Sequence, residues 1–188
     1  MLLPLLLAGC GQQPDPHLYV MSPVPEAQSD ADGEAEPVVA VLRVRLPEYL
    51  DRPQLVSRNG TNSLEIDDDN RWGEPLDTSV LRVLAENLSH YLPNARVVVP
   101  QEARAQKVRY EYLVALDAYE ADGQGNAVMR GRWHLNDTRN GKVIADGRID
   151  QQRHLASPTP AAVVGAMNEN LNDASRQIAE ATARDVGQ

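Results

Sequence analysis

The run Val108-Arg109-Tyr110-Glu111-Tyr112-Leu113-Val114-Ala115-Leu116-Asp117-Ala118, continuing to Asp122, alternates. Its period of two puts Val108, Tyr110, Tyr112, Val114, Leu116 and Ala118 on one side of an extended chain. Gly123-Gln124-Gly125-Asn126 then turns the chain, and Ala127, Met129, Gly131, Trp133 and Leu135 share a face of the next strand. Asn140-Gly141 turns it again, and Val143, Ala145, Gly147 and Ile149 continue a third. Three long strands joined by Gly- and Asn-rich turns predict an antiparallel meander with one apolar face in need of cover.

The cover lies on either side in sequence. Downstream, Thr159 caps a helix and Pro160 occupies its first turn. Val163, Met167, Leu171, Ala174, Ile178 and Ala181 line one face of it, a stripe rich in small residues that ends near Arg184. Upstream, Asp77 to Leu92 reads as a second helix. Asp77 is placed to cap it, Leu76 and Leu81 stand at hydrophobic-staple positions, and Pro93 stops it. Val80, Leu84, Leu88 and Tyr91 form its apolar stripe, widened by Leu81 and Leu92. Ala95 to Val99 is a short strand. Pro37 to Leu46 is β-branched and apolar, a first strand, and Pro53 to Arg58 with Ser63 to Asp67 flank Asn59-Gly60, a strong hairpin signal. The expected order is β-β-β-α-β-β-β-β-α. It makes an α+β domain: a mixed, largely antiparallel β-sheet with two amphipathic helices packed on one face.

The chain has 188 residues, of which 42% are hydrophobic, room for one domain with a real core. Its net charge is −9 and its 18 Lys and Arg are scattered, which argues against nucleic acid as a partner. A single cysteine excludes an internal disulfide and a Cys-based metal site.

That cysteine, Cys10, follows Leu2-Leu3-Pro4-Leu5-Leu6-Leu7-Ala8-Gly9, an apolar run too short to span a bilayer and ending in two small residues. Leu7-Ala8-Gly9-Cys10 resembles the bacterial lipobox, in which the sulfur receives a lipid, the leader is removed and the new N-terminus is acylated. No Lys or Arg precedes the run, so the true start is expected upstream. Gly11, where inner-membrane lipoproteins often carry Asp, resembles the outer-membrane class, and the periplasmic face of the outer membrane is the expected location. Residues 11–36 are rich in Pro, Gln, Ala and Ser. They carry Asp15, Glu26, Asp30, Asp32, Glu34 and Glu36 with no basic residue, the composition of a tether spanning roughly 25–30 Å as a coil. One island in it, His17 to Met21, could pair as an edge strand. The expected division is therefore a leader over 1–10, a tether over 11–36 and a folded domain over 37–188.

Catalytic and metal chemistry finds little support. An EF-hand loop begun at Asp67 puts Arg71 where an oxygen ligand is needed, and one begun at Asp68 puts Trp72 there, so Asp67 to Asn70 reads as a solvated turn. His17, His90, His134 and His154 lack metal-ligand spacing, and Ser57 and Ser157 lack a nucleophile-elbow context. No spacing argues for paired carboxylates. No enzyme activity, metal or cofactor is expected beyond the covalent lipid on Cys10.

Two segments stand out: Leu46-Pro47-Glu48-Tyr49-Leu50-Asp51-Arg52-Pro53-Gln54-Leu55-Val56 and Arg71-Trp72-Gly73-Glu74-Pro75-Leu76-Asp77. Density in Pro, aromatic and charged residues suits loops that recognise a partner, and equally suits rigid loops packed on their own core. Tyr49, Arg52, Pro53, Gln54, Arg71 and Trp72 are the candidate partner or oligomer contacts.

"LPEYLDRPQLVSR" and "RWGEPLDTSVLRVLAENLSHYLP" resemble the ABC-type transport auxiliary lipoproteins, the PqiC-like family, with Gly73 where Ala is expected. The resemblance extends over the lipobox, the tether and the closing helix. It implies a non-enzymatic role beside an MCE-domain protein and inner-membrane transporter components, moving lipid between two membranes. The lipoprotein would dock the outer-membrane end of the conduit, and a homo-oligomer matching a ring-shaped MCE partner fits the same picture. The competing readings are an envelope-assembly lipoprotein that touches no lipid and an anchored hydrolase with dispersed carboxylates.

Overall fold

The computed structural model describes residues 15–25 and 37–186. The strands are β1 (His17–Tyr19), β2 (Val38–Arg45), β3 (Gln54–Asn59), β4 (Ser63–Trp72), β5 (Arg96–Val98), β6 (Tyr110–Ala121), β7 (Asn126–Asp137) and β8 (Lys142–His154). The helices are α1 (Leu76–Tyr91), α2 (Pro100–Ala103) and α3 (Pro160–Val186), and a 3₁₀ turn covers Glu48–Leu50. All eight strands join one sheet. The meander β6-β7-β8 is antiparallel, as is the hairpin β3-β4. Parallel contacts tie β2 to β6 and β5, β3 to β6, and β1 to β4. The fold is α+β, with α1 and α3 side by side on one face and the core between them and the sheet.

Alternation carries the core only as far as the sheet stays regular. Tyr110, Tyr112, Val114 and Leu116 are buried as expected, but a bulge between Leu116 and Ala118 inserts a residue and reverses the phase. Tyr119 therefore takes the inward position assigned to Ala118, and its hydroxyl donates to the Met167 carbonyl at 3.1 Å. A second bulge, opposite Leu135 and Asn136, turns Val143 out to 55% exposure instead of inward. On α3, Ala181 is exposed and Thr182 takes the buried place.

Helix α1 starts one residue earlier than expected. Leu76 lies inside it after Pro75, Asp77 is in its first turn, and no side chain caps the end. Leu76 is consequently not a staple residue but part of the buried stripe. Asp67 to Asn70 lie within β4, in a bulge facing Gln54 and Leu55. The Asp67 carboxylate accepts from the Asp69 and Asn70 backbone N–H groups and from Asn70 Nδ2, so it organises the bulge.

The tether expected over 11–36 is built into the domain wherever it is described. His17 to Tyr19 pair with Asn70 to Trp72 at the sheet edge, and Met21 is in the core. The Ser22 backbone exchanges hydrogen bonds with the Asn168 side chain of α3, and the Val24 N–H donates to Asn87 Oδ1 of α1. Only residues 11–16 then separate Cys10 from β1. Cys10 and the lipobox lie outside the described residues.

Candidate functional site

The two distinctive segments meet. The Trp72 N–H donates to the Pro53 carbonyl at 2.7 Å, joining the end of β4 to the approach to β3. Around this bond opens a cleft of about 680 Å³. The end of β2, the 3₁₀ turn, Asp51 to Pro53 and Trp72 to Asp77 line it. Its floor is apolar: Val44, Leu50, Trp72 and Leu76 are all buried. Its rim is charged, with Arg43, Arg45 and Arg52 against Glu48, Asp51, Glu74 and Asp77.

The acids and bases of the rim differ in how they are held. Glu74 accepts from Arg82 at 2.8 Å, and this bond holds its carboxyl below the ordinary value. Arg82 also reaches Glu86 and the Met21 carbonyl, so the rim is braced from α1. Arg43, Arg45 and Arg52 have no ion-pair partner among the described residues. Arg52 Nε is shielded from water and has no acceptor among them. The positive edge continues over the open face of the sheet, where Arg45, Ala115, Arg132 and Arg148 stand in one register row across four strands.

Of the six residues expected to make contacts, Arg52, Pro53 and Trp72 come together at this cleft. Trp72 is 7% exposed, which makes it floor, not a protruding anchor. Tyr49 turns away from the cleft. Its hydroxyl donates to Glu120 Oε2 at 3.0 Å and accepts from Arg58 at 3.2 Å, while Arg58 Nε donates to Glu120 Oε1 at 3.1 Å. Glu120 is fully buried and also accepts the Tyr119 N–H at 2.7 Å. Burial, with Glu120 beside it, pushes the Tyr49 phenol up to about 12. Tyr49 is thus a positioning residue that pins the 3₁₀ turn to β3 and β6. Gln54 and Arg71 also fall outside the cleft, both bonded to Asp68 in the β4 bulge.

Arg43, Arg45 and Glu74 were not among the expected contacts. Arg43 and Arg45 alternate with buried Val44, but Val41 shares their parity and is buried because the register shifts between Val41 and Arg43, so a plain period of two does not assign the outer side of β2. Among the described residues, no group of three His, Cys, Asp or Glu is placed to hold a metal ion, and no helix is long and apolar enough to cross a membrane. The cleft offers a buried apolar floor under a rim of mixed charge, in which three guanidinium groups have no ion-pair partner among the described residues.

The fold and site together define an α+β domain that carries a cleft with an apolar floor and a charged rim. The ABC-type transport auxiliary lipoprotein component family matches residues 19–179, and the chain belongs to that family. It is 28% identical over 134 residues to the intermembrane transport lipoprotein PqiC of Escherichia coli (strain K12), covering 70% of each chain. Two crystal structures share its fold. One, described as an uncharacterized protein, superposes with a TM-score of 0.73 at 20% identity over 92% of this chain and 99% of that one. The other, protein XCC0632 from Xanthomonas campestris, gives 0.67 at 15% identity over 91% and 96%.

Proposed function

We propose that this protein is a lipid-anchored periplasmic accessory lipoprotein of an MCE-type intermembrane lipid transport system. It docks the outer-membrane end of the conduit and supports envelope integrity, without catalysis or cofactor. The observation that carries the reading is the convergence of the two family-like segments on one cleft with an apolar floor and arginines that have no ion-pair partner among the described residues. The relative named for intermembrane transport supports it, as does the lipobox ending at Cys10. Gly11, where inner-membrane lipoproteins often carry Asp, supports the outer-membrane location. Docking through charge on the rim is weakened by salt, because exposed charges are screened beyond about 8–10 Å at physiological ionic strength.

The test is co-purification from the native envelope, with bound lipid read by mass spectrometry. The acylated chain is expected to bring down an MCE-domain protein and lipid. Arg45→Glu is expected to weaken that association about tenfold, equivalent to about 1.4 kcal/mol. Cys10→Ala is expected to leave the membrane fraction while keeping the fold. A lipid-free structural complex would instead favour envelope assembly, and turnover abolished by a carboxylate substitution would favour the hydrolase.

A further inference from the structure

We propose that the sheet edge formed by β1 faces the bilayer carrying the anchor, with Leu18 and Val20 resting in the lipid–water interface. This rests on acylation of Cys10, the reading advanced above. Leu18 and Val20 are 66% and 57% exposed, the most exposed large apolar side chains among the described residues. Leu18 in β1 and Val20 just after it lie on one side of the segment. A Cβ built on Gly73 would stand 3.1 Å from Val20 Cγ1 and 4.0 Å from Leu18 Cβ, so both flank the same glycine. Tyr19, between them, packs against the core.

The short stalk decides what these side chains meet. Residues 11–16 allow at most about 25 Å between Cys10 and His17, and about 14 Å for a flexible coil. A domain held so closely presents to the lipid the edge from which the stalk leaves, and that edge is β1, which pairs with β4 alone among the described strands. The acidic bulge of β4 flanks β1 at His17, with Asp68 and Asp69 exposed. The contact is therefore apolar and owes nothing to anionic headgroups. Gly73, in the position where Ala was expected, leaves Val20 its place without displacement.

Cys10 is the only cysteine, and acylation occupies its sulfur, so Leu18→Cys provides one labelable thiol in the full acylated chain. The label is an environment-sensitive fluorophore, and the chain is reconstituted in phosphatidylethanolamine-rich vesicles carrying a lipid-borne quencher. Asn140→Cys, on the turn between β7 and β8, is the reference. Quenching at position 18 is expected to exceed that at position 140 several-fold and not to rise with added anionic lipid. Equal quenching at the two positions, with acylation verified by mass, would overturn this proposal alone. A blue shift at position 18 without lipid quenching would overturn it in favour of a second copy of the chain. An unacylated Cys10 would remove the anchor and this proposal with it.

Discussion

Glu120 illustrates how much a single buried carboxylate organises. It is fully buried, yet every contact is a charge-assisted hydrogen bond, from Arg58, the Tyr49 hydroxyl and the Tyr119 N–H. Arg58 keeps about a third of its side chain in water, so the pair is desolvated on one side only. Glu120→Ala is expected to cost about 2–4 kcal/mol, through the cavity and the orphaned partners, and to loosen the 3₁₀ turn at Tyr49. Chemical denaturation with exchange at residues 48–50 checks both; unchanged stability would remove Glu120 from this role. The sequence contained every member of the cluster but not its direction. An aromatic residue in a proline-rich loop reads the same whether it points to a partner or to its own core, which is why Tyr49 and Trp72 were expected to make contacts. Arg52 and Pro53 stood in the same segment and do line the cleft.

Elements were legible wherever a period persisted. The meander, both long helices, the Asn59-Gly60 hairpin and the edge pairing at His17 follow from alternation, helical spacing and turn chemistry. What failed to register was any interruption: a bulge adds one residue without a residue-type signal, so Tyr119 and Val143 changed sides. The parallel contacts of β2 with β6 and β5 are long-range choices that no local pattern encodes. Close packing between strands is equally silent. A Cβ on Gly131 would fall 2.3 Å from the Ala115 carbonyl oxygen and 2.8 Å from Leu116 Cα, both backbone atoms that cannot swing aside. Gly131→Ala is therefore expected to destabilise by about 1–3 kcal/mol, or several degrees in thermal midpoint. An unshifted melting curve would mean that β6 and β7 accommodate the methyl group there.

At the scale of the whole molecule, the N-terminal segment changes the picture most. Acidic, proline-rich composition suggested one long tether, but composition does not report the few residues that dock. Met21 enters the core and Ser22 and Val24 bond to α3 and α1, so residues 11–16 alone lie between Cys10 and β1 in the sequence. The cleft lies where β2 ends, β4 ends and α1 begins, so sequence blocks some 20 residues apart become one surface only after the sheet forms. The central claim is that this surface receives the transport partner. A photo-crosslinking amino acid at Pro53, exposed on the cleft, tests it in intact envelopes, with the same group at Asn140 as the comparison. The account predicts that position 53 captures an MCE-domain protein and position 140 does not. Capture of that protein from position 140 alone, or from neither position while the two proteins still co-purify, would contradict it.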